Sequence, residues 1–173
     1  MDYKAELLND YSTLNCRRIA QYAANTPKSI GKLIELMFDD DNRLAQKAAW
    51  AICMLGKKYP ALMQAHVNKL IKGISSTKHN AIPRNSLRVL AEMKLSEENQ
   101  SKLLNLCFPL VENRENAIAI RAFSMQIILN AGKQYPELLM EFHAILEETI
   151  SFESGGMKSK FRQLERLIAK NSN

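Results

Sequence analysis

Histidines, cysteines and a single tryptophan are the residues from which this chain might be asked to build a reactive centre, and their spacing argues against the usual ones. None of His66, His79 and His143 is expected to stand at i, i+4 from another ligand residue, and no HExxH occurs, so the ligand geometry of a zinc hydrolase is not expected. Cys16, Cys53 and Cys107 are odd in number, widely spaced and set in apolar stretches, with no CxxC pair to hold zinc or exchange thiols. They read as small core residues kept reduced in a cytoplasmic setting. Neither GxGxxG nor GxxxxGK[ST] appears, so the common phosphate cradles are absent. The expectation is no catalytic residue, no metal and no cofactor: a chain that binds rather than converts.

What it would bind is constrained by charge. The 173 residues carry 24 Lys and Arg against 18 Asp and Glu, a formal charge of +6. That balance admits an acidic protein or nucleic acid as partner without requiring either. The charge is uneven: residues 39–80 hold seven basic and three acidic groups, whereas 116–153 hold two and five. The amino-terminal residues are polar, and the longest uncharged apolar run, 48–56, is half of what a membrane span needs. A soluble, cytoplasmic protein is expected.

The elements that would position binding residues are repeated. Gly56-Lys57-Lys58-Tyr59-Pro60-Ala61-Leu62-Met63 returns as Gly132-Lys133-Gln134-Tyr135-Pro136-Glu137-Leu138-Leu139. Weaker copies stand at Met93–Glu98, with Ser96 at the turn, and at Ala24–Pro27. Each joins helix-stop to helix-start chemistry. Gly56 and Gly132 suit a left-handed helix end, Pro27, Pro60 and Pro136 suit a first turn, and Ser96 followed by Glu97 and Glu98 suits a capped amino terminus. Between turns the apolar period is helical, as in Leu44, Ala48, Ala51, Ile52 and Leu55. The spacing predicts helices over 12–24 with 27–38, 43–57 with 60–74, 82–94 with 97–112, and 117–132 with 136–150. A closing helix is predicted over 157–170 and a short leading turn over 2–10. One such pair leaves an apolar face open, so the pairs must stack, as a single domain over 1–173.

The stretch Asp40-Asp41-Asn42-Arg43-Leu44-Ala45-Gln46-Lys47-Ala48-Ala49-Trp50-Ala51-Ile52 resembles the first helix of HEAT/armadillo-like repeats, and basic residues recur at Lys47, Arg84 and Arg121, 37 apart. The resemblance implies an all-α right-handed superhelix of about four antiparallel helix pairs, and a scaffold that binds protein or nucleic acid. Ser154-Gly155-Gly156-Met157-Lys158-Ser159-Lys160 faintly resembles the mobile loop of the fumarase/aspartase lyases without its Pro and Asn. It reads instead as a helix-entry turn whose glycines take unusual dihedrals.

In stacked pairs the second helices line the concave face, and the complement of each apolar stripe gives its exposed residues. On this face the candidates are Lys28, Lys32, Asn68, Lys69, Lys72 and Lys102, with Ser101, Asn105 and Glu141 further along. Arg84, Arg88 and Arg121 fall on first helices, where they either pair with acids and carbonyls between repeats or form a basic stripe along a rim. Trp50 stands off the apolar stripe of its helix, either packing between pairs or anchoring a partner. His79 lies in a polar link, and Lys160 on the basic closing helix. A protein or peptide partner held in the groove or at a rim near Trp50 and Arg84 is the expectation. Sequence-independent nucleic-acid binding is the alternative, weakened by the acidic fourth pair, which interrupts a phosphate track.

Overall fold

The computed structural model describes residues 1–10, 12–76 and 79–171. The polar link that holds His79, between the helices predicted over 60–74 and 82–94, therefore lies partly outside them, at 77 and 78. The described residues form ten α-helices, with no strand among them. These are α1 (Tyr3–Asn9), α2 (Thr13–Asn25), α3 (Ile30–Glu35), α4 (Asn42–Lys58), α5 (Val67–Ile74), α6 (Ala81–Leu90), α7 (Glu97–Glu112), α8 (Ile118–Ala131), α9 (Glu137–Glu147) and α10 (Gly155–Asn171). They fall into two compact units, Met1–Lys94 and Leu95–Asn173.

In the first unit α2, α4 and α6 pack in series, α4 touching both of the others, while α3 packs on α4 and α5 on α6. The apolar stripe of α4 supplies the centre: Leu44, Ala48, Ala51 and Leu55 are fully buried, as are Leu33, Ile34 and Met37 from the α3 region and Leu70 from α5. The alanines on α4 matter because small side chains let two helices press against one from both flanks. In the second unit α8 packs on α7 and α10, and α10 also covers α9. Phe142 of α9 is fully buried there, with its ring 5.5 Å edge-on from that of Phe108.

Polar residues decide where the helices begin. Asp41 accepts hydrogen bonds from the Arg43 and Leu44 amides at 2.8 and 3.3 Å, and so satisfies two donors that α4 cannot. Asp2, Ser12 and Ser96 cap α1, α2 and α7 in the same way. Asp41→Ala should lower stability by about 1 kcal/mol, read as a lower urea midpoint at unchanged slope. An unmoved midpoint would show that this cap contributes nothing.

Several sequence expectations need correction. Pro27 and Pro60 open short 3-10 segments, Pro27–Ser29 and Pro60–His66, that lead into α3 and α5. The helix expected over 82–94 ends at Leu90, and the third expected pair is divided between the two units. No described glycine has a positive φ. Gly56 lies inside α4 and is buried, and Gly132 closes α8 with helical dihedrals. Their reason is close packing: a Cβ on Gly132 would stand 2.0 Å from Leu139 Cδ2, and one on Gly56 would stand 2.6 Å from Val89 Cγ1. Gly155 and Gly156 are simply the first two residues of α10.

Candidate functional site

The exposed sides of α2, α4 and α6 frame a trough of about 900 Å³ in the first unit. Its position follows from one stripe of α4 that the core does not use. Gln46, Trp50, Cys53, Met54 and Lys57 recur at i, i+4, i+7, i+8 and i+11, a second helical face beside the buried one. Leu14, Ala20 and Gln21 bring the neighbouring face of α2, and Arg88 closes the trough from α6. The floor is Trp50, Met54 and Cys53, Leu14 stands at its edge, and the rim carries Arg17, Arg18, Lys57, Lys58 and Arg88. No carboxylate lines it.

Some rim cations are engaged and others are not. Arg18 bonds Glu6 and Asn15, and Lys58 donates to Gln21 Oε1 at 2.9 Å, which also accepts from the Tyr59 hydroxyl at 2.8 Å. Gln21 thereby ties α2 to the end of α4. Arg17, Lys57 and Arg84 have no acidic partner among the described residues. A smaller hollow of about 230 Å³ adjoins, lined by Gln46, Trp50, Arg84, Asn85 and Arg88, so Trp50 and Arg88 belong to both.

Cys53 does not turn this site into a thiol centre. It is 3% exposed, and burial pushes its thiol up in spite of the Arg88 hydrogen bond and nearby Arg84 and Lys57. The Cys16 thiol is raised for the same reason, and that of Cys107 is pushed up to about 12. Among the described residues no group of three or more His, Cys, Asp or Glu could hold a metal ion, and no helix is long and apolar enough to cross a membrane. His143 does stand 3.7 Å from Glu147 at i, i+4, which corrects the expectation that no histidine has another ligand residue at that spacing.

The structure brings Trp50, Arg84 and Arg88 together and separates the other candidates from them. Lys28 and Lys32 are exposed near α3; Asn68, Lys69 and Lys72 are exposed on α5, where Lys69 pairs with Glu35 at 3.1 Å and Lys72 stands 5.5 Å from the Phe38 ring centre. His79 accepts a hydrogen bond from the Ala81 amide at 3.0 Å, which makes it a local brace at the start of α6. Lys102 pairs with Glu98 one turn away. Lys160 is half-buried on Gln126 of α8, and burial lowers its pKa.

Arg121 is a correction: it is 3% exposed and offers no surface to a partner. Its guanidinium grips Glu153 at 2.7 and 2.8 Å and donates through Nε to the Val111 carbonyl at 2.8 Å. Lys47 is also buried and donates to the Leu7 carbonyl at 2.6 Å. The recurring cation is thus an internal strut twice, whereas Arg84, between them in the sequence, is exposed and the adjacent buried place falls to Asn85.

Residues that sequence reasoning missed are Arg17, Lys57 and Leu14. The signal was present: Leu14, Arg17, Arg18 and Gln21 form one face of α2 at i, i+3, i+4 and i+7. In the second unit a hollow of about 690 Å³ between α7 and α9 carries Glu97, Glu112 and Glu141 and no Lys or Arg. The expected groove residues Ser101, Asn105 and Glu141 line it.

No curated protein and no solved structure matches the chain. The family model described as HEAT repeat domain matches residues 3–170, nearly the whole length. Proteins of that family generally serve protein–protein interaction or scaffolding and are typically non-enzymatic. The match spans far more than half of this all-helical chain, and the chain belongs to the HEAT repeat family.

Proposed function

We propose that this chain is a non-enzymatic docking module that holds a protein partner in the trough around Trp50. The observation that carries the reading is that trough: about 900 Å³, apolar on its floor, cationic at its rim and free of carboxylates. Tryptophan and arginine in one partly covered site are the residue types that dominate binding energy at protein interfaces. The family's general role in scaffolding supports the same reading. The three buried free thiols suit a reducing compartment, and there we place the protein.

The competing ligand is nucleic acid, favoured by the same rim. A phosphate backbone, however, gains affinity from a continuous track of cations, and these surround a hollow with apolar residues at its base. Full-length wild type and a Lys57→Glu, Arg88→Glu variant, immobilised side by side in nuclease-treated and untreated lysate, separate the two. Proteins retained by wild type after nuclease treatment and lost by at least about tenfold on the variant are expected. Equal retention on both would reject the trough, and retention abolished by nuclease would assign it to nucleic acid.

A further inference from the structure

Beside Trp50 lies a polar side chain whose bonding is incomplete. Asn85 is 3% exposed, and its Nδ2 has no hydrogen-bond partner among the described residues. It lines the smaller hollow together with Gln46, Arg84 and Arg88. A buried amide donor left unmet destabilises a fold, and native structures pair the great majority of such groups, so an unmet one beside a hollow calls for an acceptor to enter there. Nδ2 can only donate, and the guanidiniums of Arg84 and Arg88, one residue before and one turn after on α6, can only donate. The unmet Asn85 donor therefore calls for an oxygen acceptor, and a charged one suits the positive guanidiniums on either side of it.

The apolar side of the site is as specific. Trp50 belongs to both hollows, so an anion seated at Asn85 has the floor of the larger trough directly next to it. Met54 continues that floor, and Leu14, 75% exposed, stands at its edge. An apolar side chain lying there would remove them from water. A sugar–phosphate chain carries anions but no aliphatic group to cover Met54 and Leu14.

We propose that the trough takes an acidic segment of the partner protein, with one Asp or Glu carboxylate received by Arg84, Arg88 and Asn85 and a neighbouring apolar side chain laid over Trp50 and Met54. This deepens the docking reading above and rests on it. It places recognition on the first helices α4 and α6, away from the lysines of α3 and α5.

Trp50 is the only tryptophan, so its emission reports this site in the intact chain. The probes are a short synthetic peptide of Glu and Asp around a central Leu, the same peptide with Gln and Asn in place of the acids, and oligothymidylate. The acidic peptide is expected to shift Trp50 emission and to bind at least about tenfold tighter than its amide twin, with an affinity that falls as salt rises. Arg84→Glu combined with Arg88→Glu should abolish that response while helical content is unchanged, since both residues are exposed. Asn85→Leu should weaken binding several-fold while leaving stability equal or higher, because it deletes an unmet donor and keeps the volume. That pairing of effects is one that misfolding does not produce.

Equal binding of the amide twin would overturn the acidic assignment and leave apolar docking in place. Tighter binding of oligothymidylate, with displacement of the peptide, would overturn both readings. A silent Trp50 with all three probes overturns the acidic assignment, and the lysate comparison then decides the docking reading independently.

Discussion

Glu153→Ala is expected to lower the unfolding free energy by about 3–5 kcal/mol, the largest effect of any single polar substitution in this chain. The carboxylate is 7% exposed as a residue and receives both Nη atoms of Arg121, at 2.8 and 2.7 Å, with Arg114 Nε at 3.3 Å on its outer side. Arg121 in turn caps the Val111 carbonyl in the last turn of α7, where helical partners run out. One ion pair thus joins the end of α7, the body of α8 and the turn before α10. Removing the acid strands a guanidinium that is 3% exposed, and the cost comes from that stranded charge more than from lost attraction. Replacing both partners, Arg121→Met with Glu153→Leu, should therefore recover much of the loss. Urea unfolding of the two single variants and the double variant provides the cycle. Additive losses in the double variant would show that the two residues act independently.

The same pair predicts an acid sensitivity. The Arg121 hydrogen bonds hold the Glu153 carboxyl below its ordinary value against the opposing pull of burial, with Arg121 and Arg114 adding charge attraction. A carboxylate whose folded pKa is depressed stabilises the fold above its unfolded value. That stability is lost as pH falls through the ordinary carboxylate range toward the lowered folded value. Wild type should accordingly lose more stability than the Arg121→Met, Glu153→Leu double variant between neutral and acid pH. Parallel pH profiles would remove Glu153 from the account.

Helix positions were legible because their causes are local. Ser96 before Glu97 and Glu98, and Asp41 before α4, are caps that act within one turn, and α7 and α4 start where these residues say. The recurrence of Lys47, Arg84 and Arg121 at a spacing of 37 left two readings open, struts between repeats or a basic stripe on a rim, and could not say which copies are buried. That depends on acceptors far along the chain: Leu7 lies 40 residues from Lys47, and Glu153 lies 32 from Arg121. Arg84 has no such acceptor among the described residues and stands at the surface. The trough was half legible. The stripe from Gln46 through Trp50 to Lys57 is a property of α4 alone, and it singled out Trp50. That Arg17 of α2 and Arg88 of α6 flank it is set by how neighbouring helices pack, which no single-helix period encodes. Gly56 was misread for a related reason: glycine in a helix reads as a stop unless the side chain pressed against it is known.

Gly56→Ala should destabilise by about 1–3 kcal/mol, although alanine is the better helix former. The added Cβ would stand 2.6 and 2.8 Å from the two Cγ atoms of Val89 and 3.2 Å from its Cβ. Valine cannot swing aside, since a β-branched side chain in a helix has essentially one χ1 available. The strain must be relieved by moving α4 away from α6. The propensity gain of roughly 1 kcal/mol does not offset overpacking against a neighbour that is 1% exposed. Gly31 provides the contrast: its Cβ would meet nothing nearer than His66 Cε1 at 3.9 Å, so Gly31→Ala should be neutral or stabilising by up to about 1 kcal/mol. Val89→Ala in the Gly56→Ala background restores the space and should recover stability beyond what its own lost methyl groups cost. The spacing of α4 and α6 also sets the distance between Trp50 and the Arg84–Arg88 pair. Gly56→Ala should therefore alter Trp50 emission and peptide response in protein that is still folded, and Val89→Ala should restore both. Loss of stability with the Trp50 signal unchanged would show that α4 and α6 hold their spacing at the trough despite the intrusion, and that the site is independent of the packing beneath it.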